Sequence, residues 1–231
     1  MKSICGKTKE HDKDRSFLIS YISLQRSLGI LGMSLPIVLI IGSLIFNCCQ
    51  QFQPSISHYY YTVMGNYFVG TLCAFGLFLL MYKGYDRIDN IIGNIAGLCA
   101  ILVAFFPTKC YASSQCEFFI FQDRVPVDLI HYIAATILFC CFAIFSLCLF
   151  TKSNAKVEAH SAKEKRNIIY RVCGYIILIC IIFIASYQLI ICESLRKQLE
   201  CYRPTLIFES FALIAFGLSW LVKGNTIYRD K

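Results

Sequence analysis

The chain has 231 residues, enough for one domain, of which 57% are hydrophobic and only 16% charged, with a formal net charge of +8. A soluble domain carries about 25% charged residues, so this balance excludes an ordinary soluble fold and points to a bilayer. The basic residues sit in short segments between apolar runs, which makes the positive charge a mark of anchoring at a membrane face and argues against a nucleic-acid partner.

Residues 1–27 form a polar segment of mixed charge, and within it residues 16–26 space Leu18, Tyr21, Ile22 and Leu24 as a short interfacial helix. Six apolar runs follow, at 28–49, 66–82, 90–107, 129–150, 170–192 and 206–222. A spanning helix needs about 20 residues, because the hydrocarbon core is about 30 Å thick and each residue rises about 1.5 Å. The runs therefore predict an all-α polytopic bundle with six transmembrane helices over 28–224, followed by a short tail over 225–231. A transmembrane barrel needs alternating segments of about 10 residues, and the continuous runs exclude it. The first run is long and leads into Asn47-Cys48-Cys49-Gln50 rather than a small-residue cleavage site, so it is read as a permanent span. Pro36 predicts a kink within it.

Alternation of the spans brings 17 of the 22 Lys and Arg residues onto the side that holds both chain ends. An excess of basic residues marks the cytoplasmic side, so both termini are expected in the cytoplasm. On that arrangement Trp220 and Tyr82 mark the inner interface, and Tyr59, Tyr60 and Tyr61 the outer one.

Of the 14 cysteines, Cys73, Cys99, Cys140, Cys141, Cys148, Cys173 and Cys180 lie inside apolar runs, where a thiol behaves as a small hydrophobe. Cys110 with Cys116, and Cys192 with Cys201, bracket outer loops and are candidates for local disulfides.

Six polar residues fall in the outer half of the spans or at the outer surface: Glu209, His131, Asp128, His58, Asn66 and Gln188. Glu209 stands about one turn inside the last span. A carboxylate in lipid costs several kcal/mol unless it is paired or protonated, so it should face inward and find a partner. His131 and Asp128 are three apart on one helix face. Either Asp128 caps the helix and His131 sits at the interface, or the two form a proton-transfer or ligand pair with Glu209. Ser57 beside His58 invites a hydrolase reading, but no G-x-S-x-G elbow accompanies it, and the neighbouring tyrosines read more simply as an interfacial belt. Gly93, Gly97, Ala100 and Ala104 form a small-residue stripe for close helix packing. In the inner half only Asn94 stands out. The four histidines lack a metal-binding or haem-binding spacing, and neither a metal nor another cofactor is expected.

A faint internal echo joins Ala74-Phe75-Gly76-Leu77, with Lys83-Gly84 after it, to Ala215-Phe216-Gly217-Leu218, with Lys223-Gly224 after it. Further stretches, Ser20-Tyr21 through Gly29-Ile30-Leu31-Gly32 and Leu35-Pro36, Ser55-Ile56-Ser57-His58-Tyr59-Tyr60, Asn66-Tyr67-Phe68-Val69-Gly70, and Phe208-Glu209-Ser210 to Trp220, carry a resemblance. The chain resembles an uncharacterised group of bacterial six-span inner-membrane proteins, loosely DRAM-like. The resemblance implies topology and a bacterial inner membrane, and implies no activity. The expected function is binding of a lipid head group, small molecule or partner in an outward-facing polar pocket, with membrane lipids as partners. A proton-coupled carrier and a lipid-modifying enzyme with Glu209 and His131 as acid and base are the alternatives.

Overall fold

The computed structural model describes residues 2–46, 52–109, 127–152 and 160–224. Among them there is no strand, and seven α-helices follow one another: α1 (Lys2–Phe46), α2 (Gly65–Met81), α3 (Arg87–Phe105), α4 (Val127–Ile144), α5 (His160–Leu189), α6 (Glu193–Leu199) and α7 (Pro204–Lys223). Five stretches are long and apolar enough to cross a membrane: Ile19–Phe46, Arg87–Phe105, Val127–Leu149, Lys163–Leu189 and Pro204–Lys223. The fold is a helical membrane bundle. The second predicted span, α2, has 17 residues, about 26 Å at 1.5 Å per residue, so it falls short of a full hydrocarbon core and the count of six spans is not exact.

The apolar helices close a ring in the order α1, α2, α3, α4, α5, α7, with α7 returning to α1. Phenylalanines from three of them fill its middle. Phe142 of α4 lies 3.7 Å from Phe216 of α7 between ring centroids, and Phe75 of α2 lies 5.6 and 5.4 Å from these two.

Glycines set the closest crossings. Gly76 of α2 and Gly97 of α3 face each other so tightly that a Cβ on either would lie 2.8 or 2.7 Å from the other's carbonyl oxygen. The predicted small-residue stripe is therefore a contact face, with Gly93, Gly97, Ala100 and Ala104 all buried. The echo between Ala74–Leu77 and Ala215–Leu218 has a counterpart in packing, since Gly217 plays for α7 against α1 the role Gly76 plays for α2 against α3.

Several local expectations are corrected. α1 is one continuous helix from Lys2 through Pro36, not a separate interfacial helix over 16–26 followed by a span. Trp220 and Tyr82 are not interface markers, being 0% and 1% exposed. They pack edge to face at 5.0 Å inside an aromatic cluster with Phe145 and Phe150. Asn94 is exposed, and the buried polar side chains at that end include Asp89 and Gln25. α4 ends in a π-type turn over Phe145–Leu149, where Ser146 donates to Ser219 of α7 at 3.0 Å in a fully buried contact. α6 is a short exposed helix that no apolar run announces, with Glu193 in its first turn and Arg196 and Lys197 in its last, charges that suit the helix dipole. Arg203 then adopts a left-handed conformation at φ 49° and turns the chain into Pro204 at the start of α7.

Candidate functional site

The residues between α1 and α2 are the centre of a polar cluster at one end of the bundle. A 3₁₀ turn over Ser57–Tyr61 is preceded by Pro54-Ser55-Ile56, and this stretch is tied to three helices by polar contacts. Ile56 N–H donates to Glu209 Oε2 at 2.7 Å, and Leu206 N–H of α7 donates to Pro54 O at 3.2 Å. His131 Nε2 of α4 lies 2.9 Å from Ser57 Oγ, and Tyr61 O–H donates to Thr108 O, beyond the end of α3, at 2.6 Å. Non-helical backbone at this depth leaves N–H and C=O groups without helical partners, and they are tolerated only when protein satisfies them. Glu209 supplies one such partner.

His131 is 2% exposed, with both ring nitrogens engaged. Its Nδ1 lies 2.6 Å from Phe106 O. A carbonyl only accepts, so Nδ1 carries the proton, and in the neutral ring Nε2 accepts from the Ser57 hydroxyl. Ser55 Oγ and His58 Nδ1 meet at 2.6 Å within one turn of chain. Burial pulls His58 down from 6.5 to about 4, with the His131 ring and the Arg203 guanidinium adding to the effect.

Glu209 and His131 are thus brought onto adjacent residues, Ile56 and Ser57, and His58 follows directly. The other three candidates stand elsewhere. Asp128 pairs with Lys109 Nζ at 3.0 Å and does not join His131. Asn66 is exposed beside Tyr60, Thr62 and Val69 in a shallow depression at the start of α2. Gln188 is exposed near the end of α5 and reaches Thr205 Oγ1 at 3.5 Å. Cys110 and Cys116 lie outside the described residues, and Cys192 and Cys201 are exposed free thiols rather than a disulfide.

Beneath the 54–61 stretch lies a cavity of about 40 Å³ bounded by α1, α2, α3, α4 and α7. Its walls are Leu31, Leu35, Phe68, Leu72, Leu138, Leu213 and other apolar groups, and its polar lining is Ser57, Thr71 and Glu209. The pocket expected to be polar is therefore mostly apolar. A volume of this size holds roughly three water-sized groups. Phe75 and Phe142 of the central triad line it as well, so aromatic side chains form its wall toward the middle of the bundle.

The opposite end carries a second polar cluster that sequence reasoning missed. Asp89 Oδ2 accepts from Tyr85 N–H at 2.9 Å, and Oδ1 accepts from Lys152 Nζ at 2.5 Å. Lys152 also reaches Asp86 at 3.1 Å, and its hydrogen bond to Asp89 leads the effects that raise its pKa above 10.5. Two side chains of α1 hold neighbouring helix exits: Tyr21 O–H donates to Lys83 O and Arg26 Nε–H to Gly224 O, each at 2.8 Å. These contacts fasten the first helix to the ends of α2 and α7.

Among the described residues no group of three or more His, Cys, Asp or Glu side chains is placed to hold a metal ion. Comparison with family models, with curated proteins and with solved structures gives no match for this chain.

Proposed function

We propose that this membrane protein binds an amphiphile by taking a small acyl group, or a group of similar size, into the cavity beneath the 54–61 stretch. The observation that supports the reading is the cavity lining: an apolar chamber into which only Ser57, Thr71 and Glu209 bring polar groups. Apolar walls with a few convergent polar groups are the usual make-up of a ligand site, and the volume sets the size of what enters. The rest of the ligand then lies at the membrane face.

The orientation proposed with this reading puts the Glu209 end outward and the Asp89 end, with both termini, in the cytoplasm, following the basic residues. The bacterial inner membrane is proposed on the resemblance alone.

Binding is tested with protein reconstituted in nanodiscs and titrated with a di-O-ethyl glycerophospholipid, whose ether-linked two-carbon chains match a small acyl group in size and cannot be hydrolysed, read by native mass spectrometry and thermal shift. The expected result is a retained short-chain ether lipid and a raised melting temperature. Leu213→Phe, which fills the cavity from α7, should abolish retention while the variant stays monodisperse. Equal retention by the filled variant would remove this cavity as the site.

A further inference from the structure

We infer that Ser57 is an acyl-accepting nucleophile and His131 its general base, so that the cavity serves hydrolysis of short-acyl esters carried by membrane-embedded alcohols. The inference rests on the cavity reading above for its substrate class. Its own support is the geometry of the pair. The two residues are 74 positions apart and meet at 2.9 Å in a buried contact. This differs from the neighbouring Ser55–His58 contact, which spans three positions and is a local turn interaction. In the long-range pair the base is itself oriented, because the Phe106 carbonyl holds the Nδ1 proton and leaves Nε2 facing the serine hydroxyl. Nucleophile, base and an orienting third group within hydrogen-bond reach are the arrangement that activates a serine. The order in space also fits. Ser57 lines the cavity while His131 stands behind it, packed between the turn and α3.

The steps balance as follows. Ser57 Oγ attacks the ester carbonyl carbon while His131 Nε2 takes the hydroxyl proton. The tetrahedral species collapses by breaking the bond to the alcohol oxygen, which receives that proton from His131. Water then attacks the acylated Ser57, giving its proton to His131, and Ser57 leaves as the hydroxyl with that proton returned. The net reaction is ester plus water to acid plus alcohol. Glu209 lines the same cavity, with its Oε2 held by the Ile56 N–H. The cavity limits the acyl group to about three heavy atoms, so acetyl esters are the class expected, and long-chain esters are excluded.

The test is covalent labelling of the unmodified protein in nanodiscs with a small fluorophosphonate, the adduct located by peptide mass spectrometry, beside hydrolysis of p-nitrophenyl acetate and palmitate. The expected adduct is on Ser57. His131→Gln should slow its formation at least about 100-fold, the scale of a lost general base. Acetate should turn over and palmitate should not. An adduct elsewhere, or none on Ser57 in protein that retains the short-chain ether lipid, overturns the nucleophile and leaves the binding reading standing. Failure to retain the lipid together with no adduct overturns both. Because the decisive label is read on the unmodified chain, the outcome does not depend on any variant folding.

Discussion

Gly29 and Gly217 meet where α1 crosses α7, so closely that a Cβ on Gly29 would lie 2.8 Å from Gly217 O and one on Gly217 would lie 2.6 Å from Gly29 O. Helices in lipid gain little from hydrophobic contact with one another and depend on close packing instead. Neither backbone can move away without disturbing neighbours on both sides. Gly217→Val should therefore lower stability by about 1–3 kcal/mol, the usual cost of overpacking, and Gly29→Val by a similar amount. Gly70→Ala, at a position with nothing within 4 Å, should be neutral. Thermal unfolding in detergent, followed by loss of monodispersity, distinguishes the three.

The Glu209–Ile56 contact yields a second expectation. Removing the acceptor leaves a buried backbone N–H without a partner, which costs about 1–3 kcal/mol. Glu209→Leu should show that loss in melting experiments. Glu209→Gln keeps a carbonyl oxygen for Ile56 and should melt close to the unmodified protein. If the two variants melt alike, the 2.7 Å bond contributes nothing measurable.

His58 gives the cluster around the 54–61 stretch a pH dependence of defined sign. Its folded value of about 4 lies below the ordinary 6.5, so between those values the unfolded chain binds more protons than the folded one. Stability from this group is complete above about pH 6.5 and declines as pH falls toward 4, by up to about 3 kcal/mol at 1.4 kcal/mol per unit. Melting temperatures across pH 4–7 should fall on the acid side, and His58→Gln should flatten the curve.

At the other end, Asp89 is 1% exposed and holds both the Tyr85 N–H and Lys152. Asp89→Leu strands that N–H and should destabilise by about 1–3 kcal/mol, whereas Asp89→Asn retains an acceptor and should lose less. The raised Lys152 value means that its contribution is present through neutral pH and is lost only as pH rises through a value above 10.5. A melting profile insensitive to pH between 8 and 10, and falling beyond, is the expected record.

Sidedness can be read from native thiols. Cys192 and Cys201 are exposed beside α6. A membrane-impermeant maleimide applied to intact cells should modify Cys192 and Cys201 without the cells being opened. Modification only after the cells are opened would invert the proposed orientation.

The helices were legible because continuous apolar runs have few alternatives in a chain of this composition, and observed ends fall within a few residues of the predicted ones for α2, α3 and α7. α1 was not, since Lys2 to Arg15 carries no apolar stripe to announce a helix. Glu209 could be singled out from the cost of a carboxylate in lipid. Its partner could not, because a backbone N–H belongs to every residue but proline and leaves no mark in the sequence. Ser57 and His131 were each visible, but nothing local relates residues so far apart. Asp89 was passed over because a carboxylate at the start of a span looks like an ordinary boundary charge, and only the position of Lys152 reveals that it is enclosed.

The fastening of Pro54 and Ile56 to α7 has a consequence for biogenesis. The stretch between the first two helices leaves the ribosome well before its partners, since Glu209 follows Ile56 by 153 positions and the Leu206 N–H that meets Pro54 O is made with it. Until α7 enters the bilayer, the first helical hairpin carries polar backbone without those partners, and α1 lacks its glycine-lined neighbour. Insertion of α7 is thus the step that completes α1, so chains cut short before Pro204 should remain with the insertion machinery or be degraded rather than accumulate as a stable product.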